Sequence, residues 1–259
     1  MAATSQMHTI LILGGTSGIG LAFARRFHRV GKNVIITGRR RERLSTLAAE
    51  MPGLQTYPLD FGNLERIAGE VDEIFTRWPE IDTIFLNAGL QYASDIKDIA
   101  STTDAKVMEE VSVNVTAPML VARHVVPKLL TAQKPTTLMF NSSGLGFVPV
   151  GGLFPVYCAT KAAVHHYAVG LRQALKGTEV SVVEIVPPFV GDTELGLEHR
   201  GLVKGLVPMP LGEFEDAIFK ILDDSSAQDL REVSAGSAVA RVEAWRSEIG
   251  RILEQGLGG

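Results

Sequence analysis

Short apolar runs alternate with longer amphipathic stretches along most of this chain of 259 residues, and this alternation limits the possible folds more than any other feature. The runs are rich in Val, Ile and Leu rather than strictly alternating, which is typical of a parallel sheet that helices bury on both faces. We therefore predict an α/β fold with a doubly wound parallel sheet of about seven strands. The predicted strands are Thr9 to Gly14, Asn33 to Gly38, Gln55 to Asp60, Asp82 to Ala88, Thr136 to Ser142, Val180 to Val186 and Glu232 to Ala235.

Composition excludes several other classes of protein. With 46% hydrophobic residues and a formal net charge of -4, the chain is too apolar for disorder and has no basic surface for nucleic-acid phosphates. Its single cysteine, Cys158, cannot form an intramolecular disulfide. No apolar run approaches the roughly 20 residues that span a bilayer, and no linker or repeat divides the sequence. We expect one cytoplasmic domain over residues 1–259, without nucleic-acid or membrane partners.

A glycine-rich turn joins the first predicted strand to a helix through the segment GGTSGIG. Gly14, Gly18 and Gly20 permit a tight turn and close approach of a ligand, while free amides at the helix N-terminus favour a phosphate. The spacing G-x-x-x-G-x-G differs from the G-x-G-x-x-G fingerprint and from the Gly-Lys-Ser/Thr ending of NTPase loops. Because a turn can require glycine for steric reasons alone, its position between strand and helix is what favours an anion site.

Arginines follow the second predicted strand, where dinucleotide folds place an acid about 20 residues after the glycines. An acid there repels a 2′-phosphate, whereas Arg39 and Arg40 offer planar cationic donors that bind one. For Arg41 and Arg43 we favour a solvated helix start. Four cations at a helix N-terminus oppose the helix dipole, so a phosphate partner is expected for at least one of them. The site favours NADP over NAD.

Tyr157 and Lys161 are four residues apart in a segment with helical spacing, so they share one face of a helix. A neighbouring ammonium favours the phenolate, which brings the tyrosine pKa from its usual value near 10 toward one useful for proton transfer. Such pairs are common on helices. This pair follows a Ser-Ser strand end and a Gly-rich loop in the segment NSSGLG, which is a far rarer combination.

These segments, taken in order, resemble the short-chain dehydrogenase/reductase family, and most of all its compact single-domain branch of DltE-like oxidoreductases. The resemblance covers about Thr9 to Val190 and includes the glycine turn, the LNAG segment, Asn114, NSSGLG and YCATK. It implies a Rossmann-type sheet, NADP as cofactor and a small-molecule substrate.

The resemblance also implies roles for four residues. Tyr157 is the general acid or base, and Lys161 binds the nicotinamide ribose and lowers the tyrosine pKa. Ser143 orients the substrate oxygen, and Asn114 holds the helix and the water that relays protons to Lys161. Ser142 remains the alternative to Ser143, since adjacent side chains on a strand point to opposite faces.

The cofactor site implied by the resemblance lies where the strands end. Asp60 would contact the adenine, although it could instead cap a helix beginning near Asn63, and Asn87 could instead hold two strands together. The implied cofactor residues are Gly14, Thr16, Ser17, Gly18, Ile19, Gly20, Arg39, Arg40, Asp60, Phe61, Asn87, Ala88, Gly89, Tyr157, Lys161, Pro187, Val190 and Thr193.

Two positions depart from the family pattern. Leu13 stands where threonine is usual, so we expect a side-chain hydrogen bond that braces the glycine turn to be missing. Thr193 comes one place late in the Pro-Gly-x-Val-x-Thr pattern after the sixth predicted strand. We expect no metal site, because His165 and His166 diverge on a helix and no Cys or carboxylate set has metal spacing.

The predicted function is NADP-dependent transfer of a hydride between nicotinamide and a carbonyl or secondary alcohol of an apolar molecule. Leu13 leaves open a nucleotide-binding regulatory protein of the same fold without useful turnover. An epimerase or dehydratase on nucleotide sugars needs a longer C-terminal substrate domain than the segment after Val190 provides.

Apolar side chains flank the expected substrate position. The sequence predicts that residues 189–210 form a mobile lid over the substrate and that a second group of apolar side chains forms the opposite wall of the pocket. The long helical segments Thr103 to Thr131 and Pro155 to Lys176 carry apolar residues beyond one stripe, and the family pairs such helices across a two-fold axis, so we expect a homodimer or homotetramer. The lid side chains are Leu195, Leu197, Leu202, Val203, Leu206 and Val207, and those of the wall are Phe147, Val148, Val150 and Phe154.

Overall fold

A single parallel sheet of seven strands, in the order β3-β2-β1-β4-β5-β6-β7, forms the centre of the computed structural model, which describes residues 1–149, 152–195, 201 and 205–255. The strands are β1 Thr9–Leu13, β2 Asn33–Gly38, β3 Gln55–Pro58, β4 Thr83–Leu86, β5 Thr136–Asn141, β6 Val180–Val186 and β7 Glu232–Ser234. All seven predicted strands are present, so the predicted fold class is confirmed. Several end one or two residues earlier than predicted.

Helices cover both faces of the sheet, and alternate side chains of β1 pack against the helix layers on opposite faces. The helices are α1 Ala3–Gln6, α2 Gly18–Arg29, α3 Arg41–Glu50, α4 Ile67–Arg77, α5 Asp104–Val111, α6 Ala117–Thr131, α7 Pro155–Ala174, α8 Leu211–Asp224, α9 Ala238–Trp245 and α10 Arg251–Gln255. Ile10 and Ile12 pack into one apolar cluster with α2 and α8, whereas Leu11 and Leu13 pack into a second with α4, α6 and α7.

The strand order reverses direction beside β1, whose neighbours are β2 on one side and β4 on the other. In open α/β sheets the crevice at such a reversal lies outside the carboxyl ends of the strands and binds the ligand. The glycine turn follows β1 and the LNAG segment follows β4, so the chain direction alone brings both to this crevice.

A π-helical turn at Ser112–Thr116 joins α5 to α6. Such turns widen a helix locally and are frequent at functional sites, and this one contains Asn114. None of the helices in the described part of the chain is both long and apolar enough to cross a membrane.

Candidate active site

The glycine turn has the backbone geometry that its sequence predicts. Gly14 and Gly18 have φ values of 87° and 53°, in the left-handed region that favours glycine. A Cβ on Gly20 would lie 2.2 Å from the carbonyl oxygen of Gly14. Ser17, at the start of α2, makes no side-chain cap, and the first amides of a helix favour an anion.

The turn is braced from neighbouring strands. Leu13 is buried in the core, but the amide of Gly14 donates to the hydroxyl of Thr37 on β2, at 3.3 Å. The side-chain amide of Asn87 donates to the Gly14 carbonyl at 2.8 Å, and its oxygen accepts from Asn141 at 2.8 Å. Leu13 itself makes no side-chain hydrogen bond to the turn, as expected, but Thr37 and Asn87 brace it instead. Asn87 also holds strand ends together, as its alternative interpretation required.

The arginines after β2 have different surroundings. Arg39 is exposed at the strand end, whereas Arg40 forms an exposed ion pair with Glu194 at 3.1 Å. Arg43 is half-buried, and its Nε donates to the carbonyl of Thr16 at 3.4 Å. The interpretation of Arg43 as a solvated side chain is wrong, because the start of α3 packs against the glycine turn.

Asp60 and Phe61 follow β3 at the edge of the crevice. Phe61 is buried, and Asp60 is exposed with one carboxylate oxygen accepting from the amide of Gly62 at 2.9 Å. The short helix Leu64–Arg66 begins after Asn63, which makes no side-chain cap. Asp60 therefore closes a turn rather than capping that helix.

Tyr157 and Lys161 lie on the buried face of α7, and their side chains meet the end of β5. The Lys161 ammonium donates to the carbonyl of Asn141 at 2.8 Å and lies 5.5 Å from the centre of the Tyr157 ring. Ser143 hydrogen-bonds the Tyr157 hydroxyl, whereas the Ser142 hydroxyl points to the carbonyl of Ile185 on β6, at 3.4 Å. The geometry therefore places Ser143, and not Ser142, beside Tyr157.

The pKa values of the pair follow from burial. Desolvation raises the pKa of Tyr157 above its ordinary value, and the hydrogen bond from Ser143 opposes that rise. Burial likewise lowers the pKa of Lys161 to about 8, against the negative charges of Glu184 and Glu110. The resemblance implies that Lys161 lowers the Tyr157 pKa, but burial is the largest influence on that pKa and raises it.

Asn114 connects the loop after β4 to α7. Its oxygen accepts from the amide of Leu90 at 2.7 Å, and its amide donates to the Leu90 carbonyl at 2.8 Å and to the Thr160 hydroxyl at 3.1 Å. A small cavity beside it is also lined by Asn141 and Lys161. Asn114 thus holds the helix that carries the Tyr-Lys pair.

The segment after β6 returns to the glycine turn. The Pro187 carbonyl accepts from the amide of Gly144 at 2.9 Å, and Val190 forms an isolated parallel bridge with Met209. The Thr193 hydroxyl donates to the Val190 carbonyl at 3.3 Å, and its methyl group lies 3.6 Å from where a Cβ on Gly18 would be. Thr193 therefore lies against the turn despite its shifted place in the sequence.

The expected substrate walls are only partly correct. Phe154 packs with Tyr157 as expected, together with Leu145 and Leu153, which the sequence analysis missed although they flank the Gly-rich loop. Phe147 instead turns away, with its ring 4.2 Å from that of His165, because a second core pocket receives it. Of the side chains predicted to form the lid, Leu195, Leu206 and Val207 are exposed. The predicted lid residues Leu197, Leu202 and Val203 and the predicted wall residue Val150 lie outside the described residues.

Two buried acids near the pair were also missed. Glu110 on α5 is 1% exposed; burial raises its pKa to about 7, opposed by the Tyr92 amide and by the Lys161 charge. Glu184 on β6 is 0% exposed and accepts a hydrogen bond from His165 at 2.8 Å. For Glu184 the sequence does contain a signal, because it is the single charged residue inside the apolar strand VSVVEIV.

The site combines a glycine turn at the strand reversal with a buried tyrosine hydroxyl beside a serine and a lysine, an arrangement that fits a nucleotide-dependent oxidoreductase of the Rossmann type. The family described as short chain dehydrogenase matches residues 8–200. The chain belongs to this family, as its sequence motifs predicted.

Individual relatives are similar over most of the chain. It is 31% identical over 249 residues to the uncharacterized oxidoreductase DltE of Bacillus subtilis, which covers 96% of each protein. It is 34% identical over 186 residues to the NADP-dependent 3-hydroxy acid dehydrogenase YdfG of Salmonella typhi, covering 71% of this chain and 73% of the relative. The closed form of a serine dehydrogenase complexed with NADP+ superposes with a TM-score of 0.75 at 26% identity, covering 88% of this chain and 94% of that one.

Proposed function

We propose that the protein is an NADP-dependent oxidoreductase that transfers a hydride between nicotinamide and a carbonyl or secondary alcohol of an apolar small molecule. The observation that carries the proposal is the buried Tyr157 hydroxyl, hydrogen-bonded to Ser143 and one helical turn from the Lys161 ammonium. Three groups that can bind oxygen or exchange a proton thus meet at the end of β5, beside the glycine turn.

The residues present fit a dinucleotide that carries a 2′-phosphate. The amides at the start of α2 can hold the pyrophosphate, and exposed Arg39 can hold the 2′-phosphate. The Lys161 ammonium has three donors, of which one is used on Asn141, so others can reach ribose hydroxyls. Asp60 keeps one carboxylate oxygen beyond its bond to Gly62 for the adenosine end. The NADP dependence of the YdfG relative also supports this choice.

The cofactor supplies the hydride when bound, and the protein supplies the proton and the orientation. Tyr157 and Ser143 would both hydrogen-bond the substrate oxygen, and in the direction of reduction the Tyr157 proton passes to that oxygen. Lys161 would favour the resulting phenolate through its positive charge. Asn114 acts at a distance from the substrate by fixing α7 to the loop after β4.

The walls near Tyr157 favour an apolar substrate. Phe154, Leu145 and Leu153 pack around the tyrosine, and Ala93 joins them from the loop after β4. Burying such side chains against a cyclic or aryl ketone is favourable, whereas a carboxylate would lose hydration there. We therefore expect larger specificity constants for apolar ketones than for small keto acids. The reverse order would contradict this substrate class.

The test of the chemistry is Tyr157→Phe. We expect hydride transfer to be abolished while NADPH binds nearly as in the wild type, because the lost hydroxyl acts on the substrate oxygen. Turnover is measured by NADPH oxidation with a ketone panel, and binding by fluorescence titration. Ser143→Ala and Ser142→Ala form a matched pair, of which only the first should lower kcat strongly.

Two outcomes would contradict the proposal. Retained turnover in Tyr157→Phe would mean that another acid supplies the proton. Tight NADPH binding without turnover of any ketone, aldehyde or alcohol by the wild type would favour the regulatory alternative.

We further propose a cytoplasmic homodimer or homotetramer that buries the outer face of the α5–α6 segment. Its support is the exposure of Met108, Val111 and Leu130, which are large apolar side chains on these helices. Association of this face would remove them from water.

A further inference from the structure

A cluster of charged and polar side chains is buried between α7 and the last two strands, β6 and β7. Glu184 and Glu232 are register partners on β6 and β7, so their side chains leave the same face of the sheet. With His165 of α7 they bring three ligand atoms within 4.8 Å of one another. Buried carboxylates are costly unless each has a partner, so the partners decide what the cluster does.

Glu232 is fully paired. Arg172 donates to one carboxylate oxygen at 2.9 Å, and Arg246 donates to the other at 2.8 Å. Burial alone would raise the pKa of Glu232, and these two guanidinium groups outweigh it, so that pKa lies below its ordinary value. A divalent cation in the cluster would add buried positive charge beside both arginines, which argues against a metal site.

Glu184 is paired differently. One of its oxygens accepts from Nδ1 of His165 at 2.8 Å, and the other has no hydrogen-bond partner among the residues that the structure describes. His165 is likewise 1% exposed, and Trp245 and Phe147 enclose its ring at centroid distances of 4.4 and 4.2 Å. The imidazole is therefore held in one orientation, and it holds the carboxylate in turn.

Lys161 lies one helical turn before His165, on the same face of α7. It also reaches β5, the strand next to β6, because its Nζ donates to the carbonyl of Asn141, the residue after the register partner of Glu184. The Lys161 ammonium and the Glu184 carboxylate are both almost fully buried, so solvent screens their attraction poorly. In agreement with this placement, the Glu184 charge raises the pKa of Lys161 against the lowering caused by burial.

We propose that Glu184 is a positioning residue for the reaction: a buried carboxylate, oriented by His165, that stabilises the ammonium form of Lys161. The inference rests on the role given to Lys161 in the proposed function. Among the described residues, the other titratable groups facing Lys161 are Tyr157, whose ring centre lies 5.5 Å from Nζ, and Glu110, which approaches from α5 and is a second source of negative charge. The Glu232 carboxylate, beside Glu184, is neutralised by its two arginines.

The test measures the titration midpoint of Lys161 directly and does not depend on enzyme turnover. The protein is labelled with 13Cε-lysine, the Lys161 signal is assigned by its loss in Lys161→Arg, and its pH titration is followed by NMR without added nucleotide. In Glu184→Gln, which keeps the side-chain shape, we expect the midpoint to fall by about one pH unit, or about tenfold in acid strength. Glu179→Gln, an exposed glutamate just before β6, is the matched control and should leave the midpoint unchanged.

A second pair of variants tests His165 and applies if Glu184→Gln does not fold. His165→Leu removes the only hydrogen-bond partner that the described residues give the Glu184 carboxylate, so the Lys161 midpoint should fall. His165→Asn keeps an N–H near the position of Nδ1 and should restore most of the wild-type value. The pH profile of kcat/KM should move in the same direction as the midpoint in each variant.

An unchanged Lys161 midpoint in Glu184→Gln, or in His165→Leu where that variant is used, would overturn the proposal. A merely structural role for Glu184 would lower thermal stability without moving this midpoint. Absence of turnover in the wild type would refute the proposed function instead, and the NMR titration would still decide the role of Glu184.

Discussion

Asn114→Ala is expected to destabilise the fold and the active site together, since Asn114 joins the loop after β4 to α7. Three hydrogen bonds would be lost: two with the backbone of Leu90, at 2.7 and 2.8 Å, and one with Thr160 at 3.1 Å. Asn114 is 2% exposed, so water cannot replace the side chain without entering the packed region.

The magnitude follows from the number of bonds. A net contribution of about 1 kcal/mol per hydrogen bond gives a loss of about 3 kcal/mol in the free energy of unfolding. For a domain near this size each kcal/mol lowers Tm by about 2–4 °C, so Tm should fall by about 6–12 °C. Turnover below the transition should fall as well, because α7 and the loop are no longer held at fixed separation.

Urea and thermal unfolding followed by circular dichroism measure the loss. Asn63→Ala is the matched control: Asn63 is exposed, makes no side-chain cap, and should change stability by less than about 0.5 kcal/mol. A loss below about 1 kcal/mol in Asn114→Ala, with unchanged turnover, would refute the view that these bonds hold the site.

Three further predictions concern the cofactor and the assembly. Arg39→Asp should weaken NADPH binding and raise the preference for NADH, because an acid accepts from the 2′-hydroxyl and repels the 2′-phosphate; a wild-type preference for NADH would contradict this role. Gly20→Ala should lower NADPH affinity at least tenfold, since its Cβ would lie 2.2 Å from the Gly14 carbonyl and 2.5 Å from the Asn87 amide. Gly69→Ala on α4, where a Cβ would meet nothing within 4 Å, is its control and should bind normally. Light scattering at micromolar concentration should give the mass of a dimer or tetramer, and a monomer mass would contradict the proposed interface.

Local patterns were enough to predict the sheet and the positions of the principal motifs. Short continuous runs of apolar residues identify the strands, because helices cover a buried parallel sheet on both faces along the whole length of each strand. Gly14 and Gly18 were predictable because a left-handed backbone conformation favours glycine whatever surrounds it. The four-residue spacing of Tyr157 and Lys161 likewise determines their shared helix face.

Contacts between distant segments were not predictable in this way. Thr37 braces Gly14 from 23 residues away, and Glu184 meets His165 from 19 residues away. Which residue of a strand lies opposite a given helix position depends on register and helix orientation, which the whole sheet sets. Phe147 illustrates the same limit, because a cluster formed by β6 and α9 receives its ring.

The sequence by itself thus determined the α/β class, the seven strands, the glycine turn and the Tyr-Lys pair, because each depends on neighbours within a few residues. Only the tertiary structure placed Ser143 rather than Ser142 beside Tyr157, brought Glu184 and Glu110 near Lys161, and buried Tyr157 so that its pKa is raised. These properties arise from burial and from charges on other elements. Desolvation is a property of the packed surroundings, so no spacing along the chain encodes it.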